Sequence, residues 1–360
     1  MSRARDPRPV RRVALIAPMA NFAMGHYIVL LAEGLRTAGL RVLVVTSEAF
    51  AYRTRLEGRG IEVVALRRRG GLGQVAAMLR PSYYRDALGA IARFRPGVVH
   101  ILNGEGYPLG HLMALRYARR LVVTLHDPVP HTGSRIDRIS RILSLPVLAA
   151  ARVIHVHREA QRRFLASVAP WKRVAVAPHG SFAPLFDPPP FDAAKKEDLV
   201  LFWGRIEAYK GVDILAAALE GLDPKYRVVI AGVGDPGPGA RAKIAAAARA
   251  EFRNRFIPDG ELRDLLIRAK FAVFPYRSAT QTSVPLLAAA FGVIPVMSPV
   301  ATFRELVAEV DGVIMKDHSP EALAKAVNET PYREARLSGA LEFGAIARRF
   351  ADTIYPMAAR

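Results

Sequence analysis

Short runs of Val, Ile and Leu recur along the whole chain with helical patterns between them, and this alternation restricts the fold more than any other feature. In the first half the runs are VALIAPM (13–19), RVLVVTS (41–47), EVVAL (62–66), GVVHIL (97–102), RLVVTLH (120–126), RVIHVH (152–157) and RVAVAP (173–178), with a first helix from about His26 to Ala38. Strands that are apolar at nearly every position, separated by helical stretches, predict a parallel sheet covered by helices on both faces. The segment LFDPPPFDAAKKEDL then interrupts the pattern, because three consecutive prolines can neither continue a helix nor pair inside a sheet.

Beyond that break the alternation resumes. The expected elements are DLVLFWG, a helix over 212–220, YRVVIAGVG (226–234), a helix over about 239–250, RNRFIP (253–258), a helix over 260–269, and KFAVFPY (270–276). They continue with a helix over about 284–291, VIPVMS (293–298), GVIMK (312–316) and a helix over 319–328, and residues 335–360 read as helical. The prediction is an α/β protein of two doubly wound, Rossmann-like domains, 1–185 and 199–340, joined by a linker over 186–198. An interdomain cleft is expected at the carboxyl ends of the strands, where such sheets bind ligands. A chain of 360 residues with 51% hydrophobic content can supply two separate cores.

Composition removes several chemistries. There is no cysteine, which excludes disulfides, thiolate nucleophiles and Cys-ligated zinc, and fits a reducing compartment. The basic head MSRARDPRPVRR precedes an apolar run cut short by Pro18, which reads as a leader before the first strand and not as a cleaved signal. Nowhere do eighteen apolar residues run together, so a soluble or peripheral protein is expected. Residues 1–190 hold 29 Lys and Arg against 11 Asp and Glu, a balance of +18, whereas 191–360 hold 23 against 21. Arg67–Arg69 form one run, and Arg135, Arg138 and Arg141 are spaced to share a helix face. Such an imbalance confined to one half implies an anionic partner: membrane lipid, a lipid-linked pyrophosphate or nucleic acid.

The stretch LVLFWGRIEAYKGVDILAAAL (199–219) carries the sharpest chemical signal. A strand ends at Gly204, Arg205 and Lys210 follow in the loop, and a helix begins near Gly211 to Asp213. A guanidinium, an ammonium and a helix N-terminus together suit a diphosphate, although two such cations met alone can equally be solvated loop charges. Gly232 and Gly234 follow the next strand in AGVGDPGPG, where they fit either a close approach to a nucleotide or a plain tight turn. In RSATQTSVPLLAAAFGVIPVMS (277–298), Gln281, Thr282 and Ser283 precede a helix opening at Val284–Pro285 and can offer hydroxyls and free N–H groups to the same anion. VVTLHDPVPH brings His126 and Asp127 to the end of a strand. Gly25 and His26 stand at a loop-to-helix junction, His26 being a ligand or simply a helix-start residue. Asn103, Glu105, His179 and Gly180 also close strands and are as readily structural as functional. The sequence has no H-E-x-x-H, no G-x-x-x-x-G-K-[ST] and no G-x-S-x-G motif.

These motifs resemble those of GT-B glycosyltransferases of the family-four type, whose second domain opens with a strand and then G-R-hydrophobic-x-x-x-K-G. The resemblance runs over nearly the whole chain and is most specific at 199–211 and 275–298. It implies a metal-independent, retaining transferase of the hexosyltransferase type, without a cofactor, that uses a nucleotide diphosphate sugar as donor. Gly204, Gly232, Gly234, Thr280, Gln281, Thr282 and Ser283 would line the donor, Ile257 and Pro258 would lie by the base, and Arg205 and Lys210 would stabilise the departing diphosphate. His126, in a strand-end T-x-H-D, would lie by the transferred sugar, with Gly25, His26 and Asp127 on the acceptor side. A C-terminal helix over 341–360 would cross back to the first domain.

The chain departs from the family at two positions. Thr280 and Ala288 stand where the usual pattern has a pair of glutamates, so the usual glutamate roles do not carry over. The basic first half suggests a lipid-linked saccharide or polysaccharide precursor as acceptor, with the protein peripheral at the cytoplasmic face of an anionic membrane. The alternatives are a GT-B scaffold without catalysis in an envelope-polysaccharide complex, a nucleotide-sugar epimerase of the same fold, and nucleic-acid binding, for which no recognition motif is present and which is not expected.

Overall fold

The computed structural model describes residues 10–20, 23–67, 71–126, 128, 135–279 and 282–359. Two compact units emerge, one built from Met1–Gly180 together with Glu342–Arg360, the other from Ser181–Leu341.

The first unit holds seven strands: β1 (Arg12–Ala17), β2 (Arg41–Ser47), β3 (Glu62–Leu66), β4 (Val98–Ile101), β5 (Leu121–Thr124), β6 (Val153–Val156) and β7 (Val174–Val176). They form one parallel sheet in the order β3-β2-β1-β4-β5-β6-β7. Because helices cover both faces, the strands need apolar side chains at almost every position, and β1 is buried from Val13 to Ala17. The strand order reverses at β1 and β4, which puts a switch point at their carboxyl ends. The returning C-terminal segment packs on the helix Ala23–Thr37 as the helix Phe343–Arg349. Gly34 permits that approach, since a Cβ there would lie 2.8 Å from the Ala347 Cβ and 2.9 Å from the Phe343 carbonyl.

The second unit holds β8 (Glu197–Trp203), β9 (Arg227–Ala231), β10 (Ala250–Arg253), β11 (Ala269–Phe274), β12 (Ile294–Met297) and β13 (Val313–Ile314) in the parallel order β10-β9-β8-β11-β12-β13. Its switch point lies between β8 and β11, so the loops that follow these two strands and β9 share one corner of the unit.

Two sequence expectations are displaced. The strand anticipated over 253–258 is β10 at Ala250–Arg253, an edge strand whose side chains are exposed or half-buried. The apolar residues that suggested the later position include Phe256, which faces solvent. The proline-rich segment is counted with the second unit, Ser181–Leu341. Arg263 donates to the Phe186 and Asp187 carbonyls, and Lys196 Nζ donates to those of Leu266, Ala269 and Phe291 at 2.8–3.1 Å. The C-terminal helix starts only at Phe343, continues through a π-turn at Phe350–Ile354 and ends as Tyr355–Ala359.

Candidate functional site

In the second unit the loops leaving β8 and β9 extend the parallel ladder past the strand ends. Gly204 N–H donates to the Ala231 carbonyl at 3.0 Å and Ile206 N–H to that of Val233 at 2.8 Å. Gly232 and Gly234 have φ of +151° and +144°, and a Cβ on either would stand 1.8 Å from the Gly204 oxygen or 2.1 Å from the Ile206 oxygen. These two glycines therefore serve the contact of one loop with the other. The turn that presents Arg205 exists because nothing larger than hydrogen separates the two backbones.

Arg205 and Lys210 leave that turn in different environments. The Arg205 side chain is 76% exposed and meets Glu207 at 2.8 Å. Lys210 is buried at the end of the turn Ala208–Lys210, close enough to Gly204 that a Cβ there would lie 2.9 Å from its Nζ. Its ammonium lies over the Tyr276 ring and forms no ion pair among the described residues. Burial, and then the positive charge of Arg205, bring the Lys210 pKa down to about 8, while Glu207 opposes the shift. A buried cation beside a second, exposed one is a site that an incoming anion stabilises.

Arg277, the first charged residue after β11, was not singled out from sequence, yet it holds this loop in place. Its guanidinium pairs with both carboxylate oxygens of Asp213 at 2.8 and 2.5 Å and also donates to the Ala208 carbonyl at 2.8 Å. Its own N–H reaches the Tyr209 carbonyl at 2.6 Å. Arg277 thus ties the strand end to the loop and to the first turn of the helix Val212–Ala218. The available signal was a cation directly after a strand and an acid in a first helical turn, which no local motif links.

Ser283 precedes the helix Val284–Ala290, and Thr282 Oγ1 accepts from Val284 N–H at 3.3 Å. Thr280 and Gln281 lie outside the described residues. Ala288 is fully buried in that helix. Ile257 is half-buried and Pro258 exposed at the start of the helix Asp259–Arg268, where Pro258 takes the capping position.

In the first unit, Gly25 and His26 fall inside the first turn of the helix Ala23–Thr37, and the His26 ring meets Tyr52 edge-on at 5.6 Å. His126 follows β5, and Asp127 lies outside the described residues. The carbonyl of Leu102, 2.8 Å from His126 Nε2, can only accept, so that nitrogen carries the proton. His126 Nδ1 then accepts from His157 Nε2 at 3.1 Å, which leaves His157 Nδ1 buried with no partner among the described residues. Gln161 donates to the His126 carbonyl and accepts from the His157 and Arg158 N–H groups. Both ring nitrogens of His126 are thus engaged, which suits orientation of the ring better than proton transfer by it.

A second row of polar side chains crosses the sheet. His155 Nε2 faces the Ala177 carbonyl at 3.0 Å and must donate. His155 Nδ1 therefore accepts from Thr124 Oγ1 at 2.9 Å, Thr124 accepts from His100 Nε2 at 2.7 Å, and His100 Nδ1 accepts from the Tyr355 hydroxyl at 3.1 Å. Burial holds His100 and His157 well below the usual histidine range and brings His155 and His179 to about 3, so all four are neutral. Asn103 is occupied with both backbone groups of Met19, and His179 with the Gly180 carbonyl. Among the described residues no cluster of three or more His, Asp or Glu is placed to hold a metal ion.

Comparison with known proteins matches both units. Residues 22–180 match the "Glycosyl transferase 4-like domain" and residues 197–330 the "Glycosyl transferases group 1" family. The D-inositol 3-phosphate glycosyltransferase of Xylanimonas cellulosilytica is 28% identical over 296 residues, 70% of this chain and 68% of that protein. Among solved structures, HepE of Anabaena in complex with UDP and glucose is similar with a TM-score of 0.71 and 17% identity, covering 96% of this chain and 99% of that one. Sucrose-phosphate synthase of Thermosynechococcus elongatus gives 0.65 at 17% identity, covering 96% and 95%. The UDP-GlcNAc 2-epimerase of Methanocaldococcus jannaschii gives 0.58 at 12%, covering 95% and 99%, so the fold is shared beyond transferases.

Proposed function

The chain belongs to the group 1 glycosyltransferases of GT-B fold, retaining and metal-independent enzymes that take their sugar from a nucleotide sugar, and we propose that its second unit binds the donor through Arg205 and Lys210. The observation that carries this reading is Lys210, a buried ammonium with no carboxylate partner among the described residues, its pKa lowered by its own desolvation and by Arg205. A diphosphate placed there gains two charge-assisted contacts and relieves the repulsion between the two cations. These contacts strengthen as the bond between sugar and phosphate breaks and charge collects on the leaving oxygen, so they lower the barrier as well as bind.

Retention is accounted for by attack from the face the diphosphate leaves. The acceptor hydroxyl forms the new bond to the anomeric carbon, the bond to phosphate breaks, and the hydroxyl proton passes to a departing phosphate oxygen. No protein base is required, in keeping with a His126 whose ring nitrogens are both engaged. HepE was solved with UDP-glucose, which makes uracil the first base to test. For the acceptor we favour a lipid-linked saccharide or polysaccharide precursor at the cytoplasmic membrane face, because the positive balance of the chain is concentrated in residues 1–190.

The test is a thermal-shift panel of UDP, GDP, ADP and their sugars on the wild type and Arg205→Ala. Stabilisation by one nucleotide family that is lost in the variant supports the reading, and retention of the full shift in the variant refutes it. A second reading, a nucleotide-binding scaffold without transfer, draws on Ala288 and Thr280, which offer no carboxylate where the family has two. It predicts nucleotide stabilisation with no release of sugar or UDP over long incubation with acceptor lipids.

A further inference from the structure

We propose that the helix Arg135–Ala150 is an interfacial helix that seats the protein on an anionic lipid surface. Ile139, Ile142, Leu143 and Leu145 are 49–60% exposed on this one helix, a concentration of large aliphatic surface that a folded domain ordinarily buries. At 100° per residue they share an arc with Pro146 and Ala149, both exposed, while Ser144 and Val147 on the other side are buried. No charged residue occurs between Ile142 and Ala151, and the one hydroxyl there, on Ser144, faces inward. The outward face of the last two turns is therefore purely apolar.

A second observation lies at the end of the same helix. Lys172 Nζ donates to the Ala149 and Ala151 carbonyls, which fixes the loop after the following helix against this C-terminus, and its neighbour Trp171 is 75% exposed. An exposed indole beside aliphatic surface suits the boundary between lipid headgroups and acyl chains. Cations bracket the face in sequence: Arg135, Arg138 and Arg141 before it, Arg152, Lys172 and Arg173 after it. Charge decides the occupant. A second copy of the chain would bring two strongly positive surfaces together, whereas anionic headgroups would complement them. No described helix is long and apolar enough to cross a membrane, which leaves a helix lying in the interface.

The proposal deepens the reading of a membrane-held acceptor but is tested apart from donor binding. The full-length protein is floated with vesicles of phosphatidylcholine alone and of equal parts phosphatidylcholine and phosphatidylglycerol, and its tryptophan emission is followed. Only two tryptophans are present, and Trp203 is buried within β8, so a change reports Trp171. Expected are flotation and a blue shift with the anionic vesicles only, reversed by high salt, and binding weakened by about tenfold or more in Ile142→Ser/Leu145→Ser. The nucleotide-induced thermal shift of that variant should equal the wild type's, which shows it folded and separates this test from the donor reading. Equal flotation of variant and wild type, equal binding to both vesicles, or absence of binding to either overturns the proposal. So does a dimer in sedimentation that the double variant abolishes, since a second copy would then be the occupant.

Discussion

The Nζ of Lys210 lies 5.4 Å from the centre of the Tyr276 ring, and that tyrosine is itself buried with a hydroxyl that has no hydrogen-bond partner among the described residues. Burial pushes the Tyr276 pKa far up, so the ring stays neutral and supplies only its π-face to the ammonium. Among the described residues the ammonium is met by an aromatic face and by no carboxylate, which leaves its charge available to a ligand. Lys210→Met should keep the volume of the stem and lower donor affinity by roughly ten- to a hundredfold, the loss of about 1.5–3 kcal/mol expected for a charge-assisted contact. Calorimetric titration with UDP measures it, and an unchanged Kd would remove Lys210 from the site.

The same lysine makes donor binding depend on pH. With its pKa near 8 in the free protein, Lys210 loses its proton as pH rises through that value, and a bound diphosphate draws the proton back. Affinity should therefore fall above about pH 8, with proton uptake on binding. The stability of the free protein moves the other way. Between about 8 and the ordinary lysine value of 10.5 the unfolded state holds the proton that the folded state has released, so this group makes unfolding harder as pH rises. Titrations in buffers of different ionisation enthalpy would show the uptake directly.

Arg277→Lys should loosen the loop without removing a charge. A lysine cannot pair with both oxygens of Asp213 and also reach the Ala208 carbonyl. Donor KM should rise by about three- to tenfold with little change in kcat, the split expected of a residue that positions others. Asp213→Asn should reproduce it.

The row from Tyr355 to Ala177 predicts a specific stability defect. Tyr355→Phe removes the donor that the described residues offer to His100 Nδ1 and should cost about 1–3 kcal/mol, read from urea unfolding. Acid should weaken the same unit. His155 and His179 refuse protons in the fold until about pH 3, while unfolded histidines take them up near 6.5. Each then removes about 1.4 kcal/mol of stability per pH unit as pH falls through that window. Thermal melts between pH 7 and about pH 5 should show the slope, and His155→Gln should reduce it.

Gly232→Ala tests the loop contact. With 1.8 Å available to its Cβ, the two backbones must part, at a cost of about 2–4 kcal/mol and with the turn that carries Arg205 displaced. Loss of UDP binding together with a lower Tm is the expected result.

The parallel strands were legible because burial on both faces writes them as uninterrupted apolar runs, and the runs at 41–47 and 62–66 coincide with β2 and β3 end to end. β10 was misplaced because an edge strand needs no such run. The cations at 205 and 210 were visible because one loop holds both. What the sequence did not display were relations between distant residues: Arg277 with Asp213, His157 with His126, and Tyr355 with His100 across 255 positions. None of these pairs has a spacing that chance would not give, and each acquires meaning only when the sheet sets strand ends side by side.

The row of side chains that crosses β4, β5 and β6 also has an order in time. On a ribosome His100, Thr124 and His155 emerge early, but the hydroxyl that completes the row belongs to residue 355, made after the whole second unit. All seven strands of the first unit precede the second unit in the chain, but the hydroxyl that pairs with His100 Nδ1 follows it. In this protein the half that is synthesised first contains a row of side chains that only the end of the chain completes.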